Sequence, residues 1–468
     1  MSSRRIFISI HLIIFLVTIS CAQSSYISDG WDKLDEILVQ IVEPSFPEKV
    51  HNIILYGAIG DGVTDCSDAF KKAIDECNKT SGGMVMVPEG TFLTGPIYLK
   101  SNVNLYISEN ATVKFTDDKS KYLPVVFTRW EGVECMNYSP LIYAYNEENI
   151  AVTGKGVLDG QGSDDNWWSW KGNKDSGWTE GKPNQKKDRD LLFKMAEDGI
   201  PPEKRVFGDG HFLRPNFFQP YNCKNVLIEG VTFKDSPMWF INPVLCENIT
   251  VKNVTVEGLG PNNDGCNPES SKNVLIKNCY FNTGDDCIAI KSGRNNDGRR
   301  INIPSENIII QNCTMKEGHG GVVIGSEISG GVKNVFAENC SMSSPNLDRA
   351  IRIKTNAVRG GVIENLFVRN ITVGQVKEAV IKIDFYYEEG ENGKFLPVVK
   401  NLDFSNITSE KSEFAIWIKA FENSPVENIR LDSCIFKNVE KDNLIENVKL
   451  IEMKSVIIND KPISIESD

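Results

Sequence analysis

The chain has 468 residues, of which 41% are apolar and 24% are charged, with 37 Gly and 20 Pro. This composition excludes disordered, collagen-like and coiled-coil proteins and indicates a folded soluble protein with a large core. The net charge is -12, from 51 Lys and Arg against 63 Asp and Glu, so the overall field attracts neither nucleic acid nor an anionic membrane. An anionic ligand would therefore need a local basic pocket.

The N-terminus has the pattern of a secretory signal peptide. Arg4 and Arg5 precede an apolar run at residues 6–19, which small residues follow. The run is too short and too interrupted by polar residues to span a bilayer comfortably. We predict that residues 1–22 are removed, which changes the net charge from -12 to -14, and that the protein is secreted. A retained anchor is an alternative, as are, in a bacterium, a periplasmic location and acylation at Cys21.

A short amphipathic helix is expected after the segment YGAIGDGVTD at residues 56–65. Its apolar face consists of Ala69, Phe70, Ala73, Ile74 and Cys77. Asp65 or Ser67 is suited to cap its N-terminus. Such a helix would cover the N-terminal end of the core and shield an unpaired strand edge.

An Asn followed by an alternating apolar strand recurs along the chain. The repeat positions, at gaps of 19 to 36 residues, are Asn225, Asn248, Asn273, Asn307, Asn334, Asn365, Asn401, Asn428 and Asn447. Related phrases begin earlier, at Asn102 and Asn149. A drifting period is typical of short strands joined by loops of variable length. We therefore predict an all-β fold, a right-handed parallel β-helix, in which residues 23–468 form one domain.

Four cysteines occupy the sixth position after their repeat Asn, namely Cys279, Cys313, Cys340 and Cys434. The same offset in other coils holds Val231, Val254, Ile371 and Ile407. Since Cys alternates there with Val and Ile, we predict an interior stack without disulfides among these four. Pairing among the other cysteines stays open. No paired CxxC or His-rich spacing indicates zinc, and we expect no metal and no cofactor.

Residues 160–214 interrupt the repeat, because 76 residues separate Asn149 from Asn225. This segment, which we name the excursion, holds four of the eight Trp residues: Trp167, Trp168, Trp170 and Trp178. Two interpretations of these side chains are open. They form an exposed platform for sugar rings, or they form a small core within the excursion.

Acidic residues and a histidine follow the strands of consecutive coils. Asp285 and His319 both lie twelve residues past their repeat Asn, in the tripeptides GDD and GHG. Asp286 follows directly, and Asp264 reaches the same register if its turn is about four residues longer. Adjacent coils lie about 4.8 Å apart, so we predict that three carboxylates and an imidazole share one cleft.

The next coil adds two cations in the segment AIRIKT. With a period of two, Ile351 and Ile353 point inward, while Arg352 and Lys354 point outward about 7 Å apart. One coil further, the segment KIDFYY places two tyrosines near the same face. Each piece alone is commonly structural, but their common register on successive coils indicates a site.

This ordered set resembles the polygalacturonase family of glycoside hydrolases, family 28, which degrade pectin and use a right-handed parallel β-helix. The family motifs N-T-D, D-D, G-H-G and R-I-K match residues 262–264, 285–286, 318–320 and 352–354. The family tyrosine falls at Tyr387 by spacing. Asn263 stands where the family usually has Thr, which removes no titrating group. The stretch IGSEISGGV and the excursion are more similar to exo-acting members.

The resemblance implies hydrolysis of α-1,4-galacturonosyl bonds in polygalacturonate or pectin by an inverting acid/base mechanism. In this assignment Asp285 is the general acid, and Asp264 and Asp286 hold and activate water. His319 tunes the acid or binds the sugar. The substrate contacts are Arg352, Lys354, Tyr387 and Asn262. Clustered negative charges disfavour ionisation, which would help keep one carboxyl protonated. Carboxyls about 6.5 to 9.5 Å apart leave room for water and give inversion.

Three alternatives stay open at this point. A pectate lyase would use calcium and an arginine base, and the G-H-G motif and the lack of a richer acidic array argue against it. A non-catalytic binding protein would not need stacked acids. Among hydrolases, the closest alternative substrates are rhamnogalacturonan and xylogalacturonan. The expected partner is a pectic polysaccharide or an oligogalacturonide, with no nucleic acid, no membrane span and a monomeric state.

Overall fold

The computed structural model describes residues 29–466. The predicted signal peptide at residues 1–22 and its Cys21 lie outside this range. Within it, no helix combines the length and the apolar character needed to cross a membrane. The helices are Lys33–Leu38, Ser67–Lys79, Lys186–Glu197 and Asn295–Ile301. Short 3-10 turns occur at Asp29–Asp32, Ile53–Tyr56, Lys119–Tyr122, Trp168–Lys171, Lys174–Ser176 and Pro202–Lys204.

The chain forms the predicted right-handed parallel β-helix, with three stacks of strands around one core. The first stack contains Val50–Asn52, Gly83–Val87, Val103–Ile107, Glu148–Gly154, Lys224–Glu229, Glu247–Lys252, Lys272–Lys277, Ser305–Gln311, Val332–Glu338 and Val426–Asp432. The second stack contains Asp61–Asp65, Gly90–Thr94, Ala111–Phe115, Val157–Asp159, Thr232–Lys234, Thr255–Gly258, Tyr280–Thr283, Thr314–Met315, Ser341–Met342 and Ile435–Phe436.

Three long strands belong to both of these stacks, Val362–Gln375, Val398–Lys411 and Val448–Ile458. The antiparallel strand Lys461–Glu466 pairs with the last of them. The third stack contains Ile97–Tyr98, Ile142–Tyr145, Phe218–Tyr221, Ile288–Ile290, Val322–Ile324, Arg349–Lys354, Ala379–Asp384, Phe414–Lys419 and Leu444–Glu446. Single bridges through Ile241 and Cys266 make this stack continuous between Phe218 and Ile288.

The repeat asparagines mark one corner of the coil and form a ladder of side-chain hydrogen bonds. From Asn102 to Asn447 these residues have φ between 52° and 63°, in the left-handed region that Asn tolerates better than most residues. From Asn149 to Asn428, each Nδ2 donates to the Oδ1 of the Asn one coil earlier, at 2.8 to 3.3 Å. Each Asn therefore adopts the backbone conformation that the turn requires, and its side-chain amide hydrogen-bonds to the Asn of the neighbouring coil.

The predicted interior stack of cysteines is confirmed. The side chains at the sixth position after the repeat Asn are all at most 2% exposed, and they are Val231, Val254, Cys279, Cys313, Cys340, Ile371, Ile407 and Cys434. The eleven cysteines in the described part of the chain are buried free thiols. A small apolar side chain is what each coil accepts at this position.

The predicted N-terminal helix is Ser67–Lys79, and its five apolar side chains are at most 4% exposed. The prediction of its cap was wrong, because Cys66 occupies the N-cap position. Asp65 acts next to the cap instead, where its Oδ1 accepts from the backbone N–H of Ser67 at 2.9 Å. The helix packs on the first coils and covers the end of the core.

Tryptophans of the excursion pack into the main core of the coils. Trp167 is fully buried and Trp170 is 8% exposed, and their rings meet edge to face at 5.1 Å. Trp168 donates its indole N–H to the Ser236 carbonyl at 2.9 Å. The platform interpretation was therefore wrong for Trp167 and Trp170, and so was that of a small core within the excursion, because both rings belong to the main core of the coils.

An antiparallel hairpin, Val126–Trp130 with Val133–Asn137, covers part of the third stack. Arg129 is fully buried, with Nη1 3.3 Å from Glu269 Oε1 and 3.2 Å from Ser270 Oγ. At the hairpin tip, Gly132 accepts from the Arg294 backbone N–H at 2.9 Å. We call this hairpin, together with the excursion, the end wall. It positions side chains over the outer face of the third stack.

Candidate active site

All the residues that the sequence proposed for the site line one cavity of about 410 Å³ on the outer face of the third stack. They are Asn262, Asp264, Asp285, Asp286, His319, Arg352, Lys354 and Tyr387. The acids lie in the turns that join second-stack to third-stack strands, so successive coils deliver them to the same edge. The register argument therefore placed these side chains together correctly.

Asp285 forms a hydrogen-bonded pair with His319. The Nδ1 of His319 lies 2.9 Å from Asp285 Oδ1, which also accepts from the Asp286 backbone N–H at 3.0 Å. Burial alone raises the pKa of Asp285, but the His319 hydrogen bond and charge hold it well below its ordinary value. In turn, the Asp285 hydrogen bond and charge raise the pKa of His319 above 6.5. In this geometry the proton of the pair resides mainly on the imidazole.

Asp264 is only 3% exposed, and it accepts a hydrogen bond from Asn267 Nδ2 at 2.9 Å. Burial and then the charge of Asp285 raise its pKa well above 3.8, although Lys291 Nζ lies 3.4 Å away. The clustered negative charges were expected to raise the pKa of one carboxyl, and that carboxyl is Asp264 and not Asp285. The reason is that Asp285 has an imidazolium partner, which compensates its charge.

Asp286 is fully buried and paired with both predicted cations. Lys354 Nζ donates to Oδ2 at 2.7 Å, and Arg352 Nη1 lies 3.7 Å from Oδ1. Both cations stand over the Tyr387 ring, at 5.4 Å for Arg352 and 5.3 Å for Lys354. Their predicted common face is confirmed, because the two isoleucines of the segment AIRIKT are buried in the core. Sequence reasoning missed that Asp286 already compensates part of their charge.

Asn262 and Asn263 have different roles in the turn before Asp264. Asn262 faces the cavity, and its Nδ2 donates to Asp285 Oδ2 at 3.4 Å. Asn263 is fully buried and donates to the backbone carbonyls of Ser236 and Met238, both at 2.9 Å. The departure from the family Thr is therefore structural and leaves the charged groups of the cavity unchanged.

Further charged residues line the cavity that sequence reasoning did not identify. Lys291 Nζ lies 3.1 Å from Glu327 Oε2 and 4.5 Å from the centre of the Trp239 ring. The period-two rule in the segment IAIK, applied as it was to Arg352, would have found Lys291. Glu327 lies in the stretch IGSEISGGV, outside the regular strands.

The end wall also contributes side chains to the cavity. Glu131 at the hairpin tip accepts from Arg189 Nε at 2.8 Å, and Arg189 belongs to the helix of the excursion. Lys171, at the end of a 3-10 turn of the excursion, donates to Asn262 Oδ1 at 2.7 Å. No repeat register extends to these segments, so the sequence pattern held no signal for them.

Matches to known proteins cover most of the chain. The family model "Glycosyl hydrolases family 28" matches residues 209–457, and a model described as "Rhamnogalacturonase A/epimerase, pectate lyase-like" matches residues 50–119. A hyperthermoactive exopolygalacturonase from Thermotoga maritima is 48% identical, with a TM-score of 0.91, over 94% of this chain and 98% of that one.

Curated relatives are more distant in sequence. A probable polygalacturonase from Vitis vinifera is 28% identical over 81% of this chain and 72% of its own length. An exo-poly-alpha-D-galacturonosidase from Dickeya chrysanthemi is 29% identical over 81% of this chain, and the match spans 64% of that longer protein. On the family model and the Thermotoga maritima structure, this chain belongs to glycosyl hydrolase family 28.

Proposed function

We propose that the protein is a polygalacturonase that hydrolyses α-1,4-galacturonosyl bonds of polygalacturonate and pectin. The observation that carries the proposal is the convergence of three carboxylates, an imidazole and two cations in one cavity. Carboxylates and His319 match what glycosidic cleavage needs, and the cations match an acidic sugar. The similarity to the Thermotoga maritima exopolygalacturonase supports the same substrate.

In the proposed mechanism the Asp285–His319 pair supplies the proton for the leaving oxygen. The proton passes from His319 Nδ1 to Asp285 Oδ1 along their 2.9 Å hydrogen bond, and Asp285 then donates it to the glycosidic oxygen as that bond breaks. Asp264 and Asp286 hold the water that attacks the anomeric carbon from the opposite face, and Asp286 accepts its proton. This arrangement gives inversion. Because the two groups interact, their apparent pKa values belong to the pair and not to either residue.

We propose that Arg352 and Lys354 bind a carboxylate of the substrate, with Tyr387 beneath them. Their distances to Asp286 place this carboxylate next to the reacting groups. Arg offers a planar fork and Lys a point charge, so the two together suit a uronate group. Esterification would remove the negative charge, and highly methyl-esterified pectin is expected to be a poor substrate.

We further propose exo action, on the last unit of a polygalacturonate chain. The end wall supports this, because Glu131 and Arg189 close the cavity beside Asn262. On the other side, the outer face of the third stack continues past Arg352 to the part-exposed Trp417 two coils away. A polymer can extend over that face while its terminal unit occupies the closed side. The similarity to two exo-acting proteins also supports exo action.

The proposal includes the organisation of the chain. Residues 1–22 act as a secretion signal, and residues 23–468 form one extracellular catalytic domain that works as a monomer. The pattern of charged, apolar and small residues at the N-terminus supports this signal. Mass analysis of the protein from the medium of an expressing cell would test it, with residue 23 expected as the first residue.

Product analysis on polygalacturonate tests the activity most simply. The chain of residues 23–468 is incubated with the polymer, and products are separated by size over time, with Asp285→Asn as the inactive control. Only monomer from the first time point supports the proposal. A ladder of oligomers would contradict exo action, unsaturated products would indicate a lyase, and cleavage restricted to rhamnogalacturonan or xylogalacturonan would contradict the substrate.

A further inference from the structure

Two cations of the excursion, one lining the cavity and one buried beside it, have no carboxylate partner. Lys171 Nζ donates to Asn262 Oδ1 at 2.7 Å. Arg214 is fully buried, and its guanidinium donates only to neutral oxygens. These acceptors are Gln185 Oε1, Pro237 O, Pro261 O and Asn262 Oδ1. Two positive groups thus converge on one amide oxygen, and among residues 29–466 neither of them takes part in an ion pair.

The carboxylates nearest to these cations already have closer partners. Glu131 pairs with Arg189 at 2.8 Å, and Asp285 pairs with His319 at 2.9 Å. Burial, and then the charge of Arg214, lower the pKa of Lys171, while Glu131 and Asp285 act in the opposite direction. Burying a cation without an anion is unfavourable. This corner of the cavity therefore has uncompensated positive charge.

The other cations that line the cavity have carboxylate partners. Arg352 and Lys354 pair with Asp286, and Lys291 lies between Asp264 and Glu327. Arg349 pairs with Asp348 and Glu378. In the described part of the chain, Lys171 and Arg214 thus lie at the cavity without a carboxylate partner, whereas Arg352 and Lys354 share one. A bound anion would supply the missing counter-charge.

We propose that Lys171, with Arg214 behind it, binds the carboxylate of the terminal galacturonate unit that occupies the closed side of the cavity. This inference rests on the proposed function and adds a residue outside the family motifs. The Asn262 amide lies between Lys171 and the Asp285 carboxylate, at 2.7 and 3.4 Å. That separation suits one sugar ring, with its carboxylate at Lys171 and its anomeric carbon at the acids.

The two basic groups then serve different sugar units. Lys171 recognises the unit that is released, and Arg352 and Lys354 recognise the unit on the other side of the scissile bond. A hydrogen bond between charged groups at such a site corresponds to about a 10-fold to 150-fold difference in kcat/KM. The enzyme should therefore discriminate by this factor against a released unit whose carboxylate is esterified.

The test compares two trisaccharides, trigalacturonate and its derivative methyl-esterified only on the unit that is released. The ratio of their kcat/KM values is measured for the parent, Lys171→Met, Lys171→Arg and the control Lys174→Met, an exposed lysine of the same excursion. We expect a ratio of about 10 to 150 for the parent and the control. Lys171→Met should lower the ratio to near one, and Lys171→Arg should keep most of it.

A ratio is insensitive to partial misfolding, because inactive protein lowers both values equally. If Lys171→Met lowers both rates but keeps the parent ratio, Lys171 only orients Asn262 and the inference is overturned. A parent ratio near one overturns it as well. Arg352→Gln should keep the ratio, since it contacts the other unit. If the parent cleaves trigalacturonate, either of these two results refutes only this inference. If it cleaves no galacturonate substrate, the proposed function fails too.

Discussion

Replacing His319 with Gln tests the source of the catalytic proton. In the parent, activity requires the proton held by the Asp285–His319 pair, and it is lost as pH rises through the pKa of His319, which Asp285 raises above 6.5. Gln can hydrogen-bond to Asp285 but holds no titrating proton. The alkaline limit then falls to the pKa of Asp285 itself, a carboxyl with an ordinary value of 3.8 that burial raises and the nearby lysines lower.

The alkaline limb should therefore move down by at least about one pH unit, which means at least a tenfold loss at neutral pH. Screening limits the shift, because the imidazole is 53% exposed and water surrounds the pair. The assay is kcat/KM on trigalacturonate from pH 3 to 9. Activity should recover partly at acid pH, where Asp285 is protonated.

A matched control lies in the excursion, where His211 Nδ1 is 2.8 Å from Asp188 Oδ1 and does not line the cavity. His211→Gln should leave the shape of the pH profile unchanged. If His319→Gln lowers the rate equally at every pH, without moving the alkaline limb, the pair does not supply the proton. His319 would then act only on the sugar.

The remaining predictions concern the acids, the cations and the core. Asp285→Asn should lower kcat by several orders of magnitude with unchanged circular dichroism, and activity within tenfold of the parent would contradict its role. Lys354→Met should lower kcat/KM on polygalacturonate by about 10-fold to 150-fold and lower the melting temperature, because the buried Asp286 loses its 2.7 Å partner. Arg352→Gln, at 3.7 Å, should be milder. Cys313→Val should stay folded and active, since equivalent positions hold Val, and a mapped disulfide at Cys313 would refute the coil register.

The fold was predictable because each coil repeats the same turn and the same strand pattern. A left-handed Asn, whose amide also joins the ladder, must recur at the same corner, so Asn273 and Asn307 mark the register without any structure. The period of two then orients the strand residues, which placed Arg352 beside the acids. Sequence reasoning was sufficient wherever a side chain belonged to this repeat.

The parts that sequence reasoning missed lie outside the repeat or depend on distance. The excursion has no register, so the approach of Lys171 to Asn262 follows only from tertiary packing. The ionisation of the cavity carboxyls was missed for a second reason. The lowered pKa of Asp285 depends first on its 2.9 Å contact with His319, and a motif records neighbours in sequence without recording such distances.

The most direct test of the mechanism is NMR of the first sugar released from polygalacturonate. If Asp285 protonates the leaving oxygen while Asp264 and Asp286 hold water on the opposite face, the released galacturonate should first appear as the β anomer and equilibrate later. The early signal of the α anomer alone would mean retention, and it would contradict the placement of a water between these carboxylates.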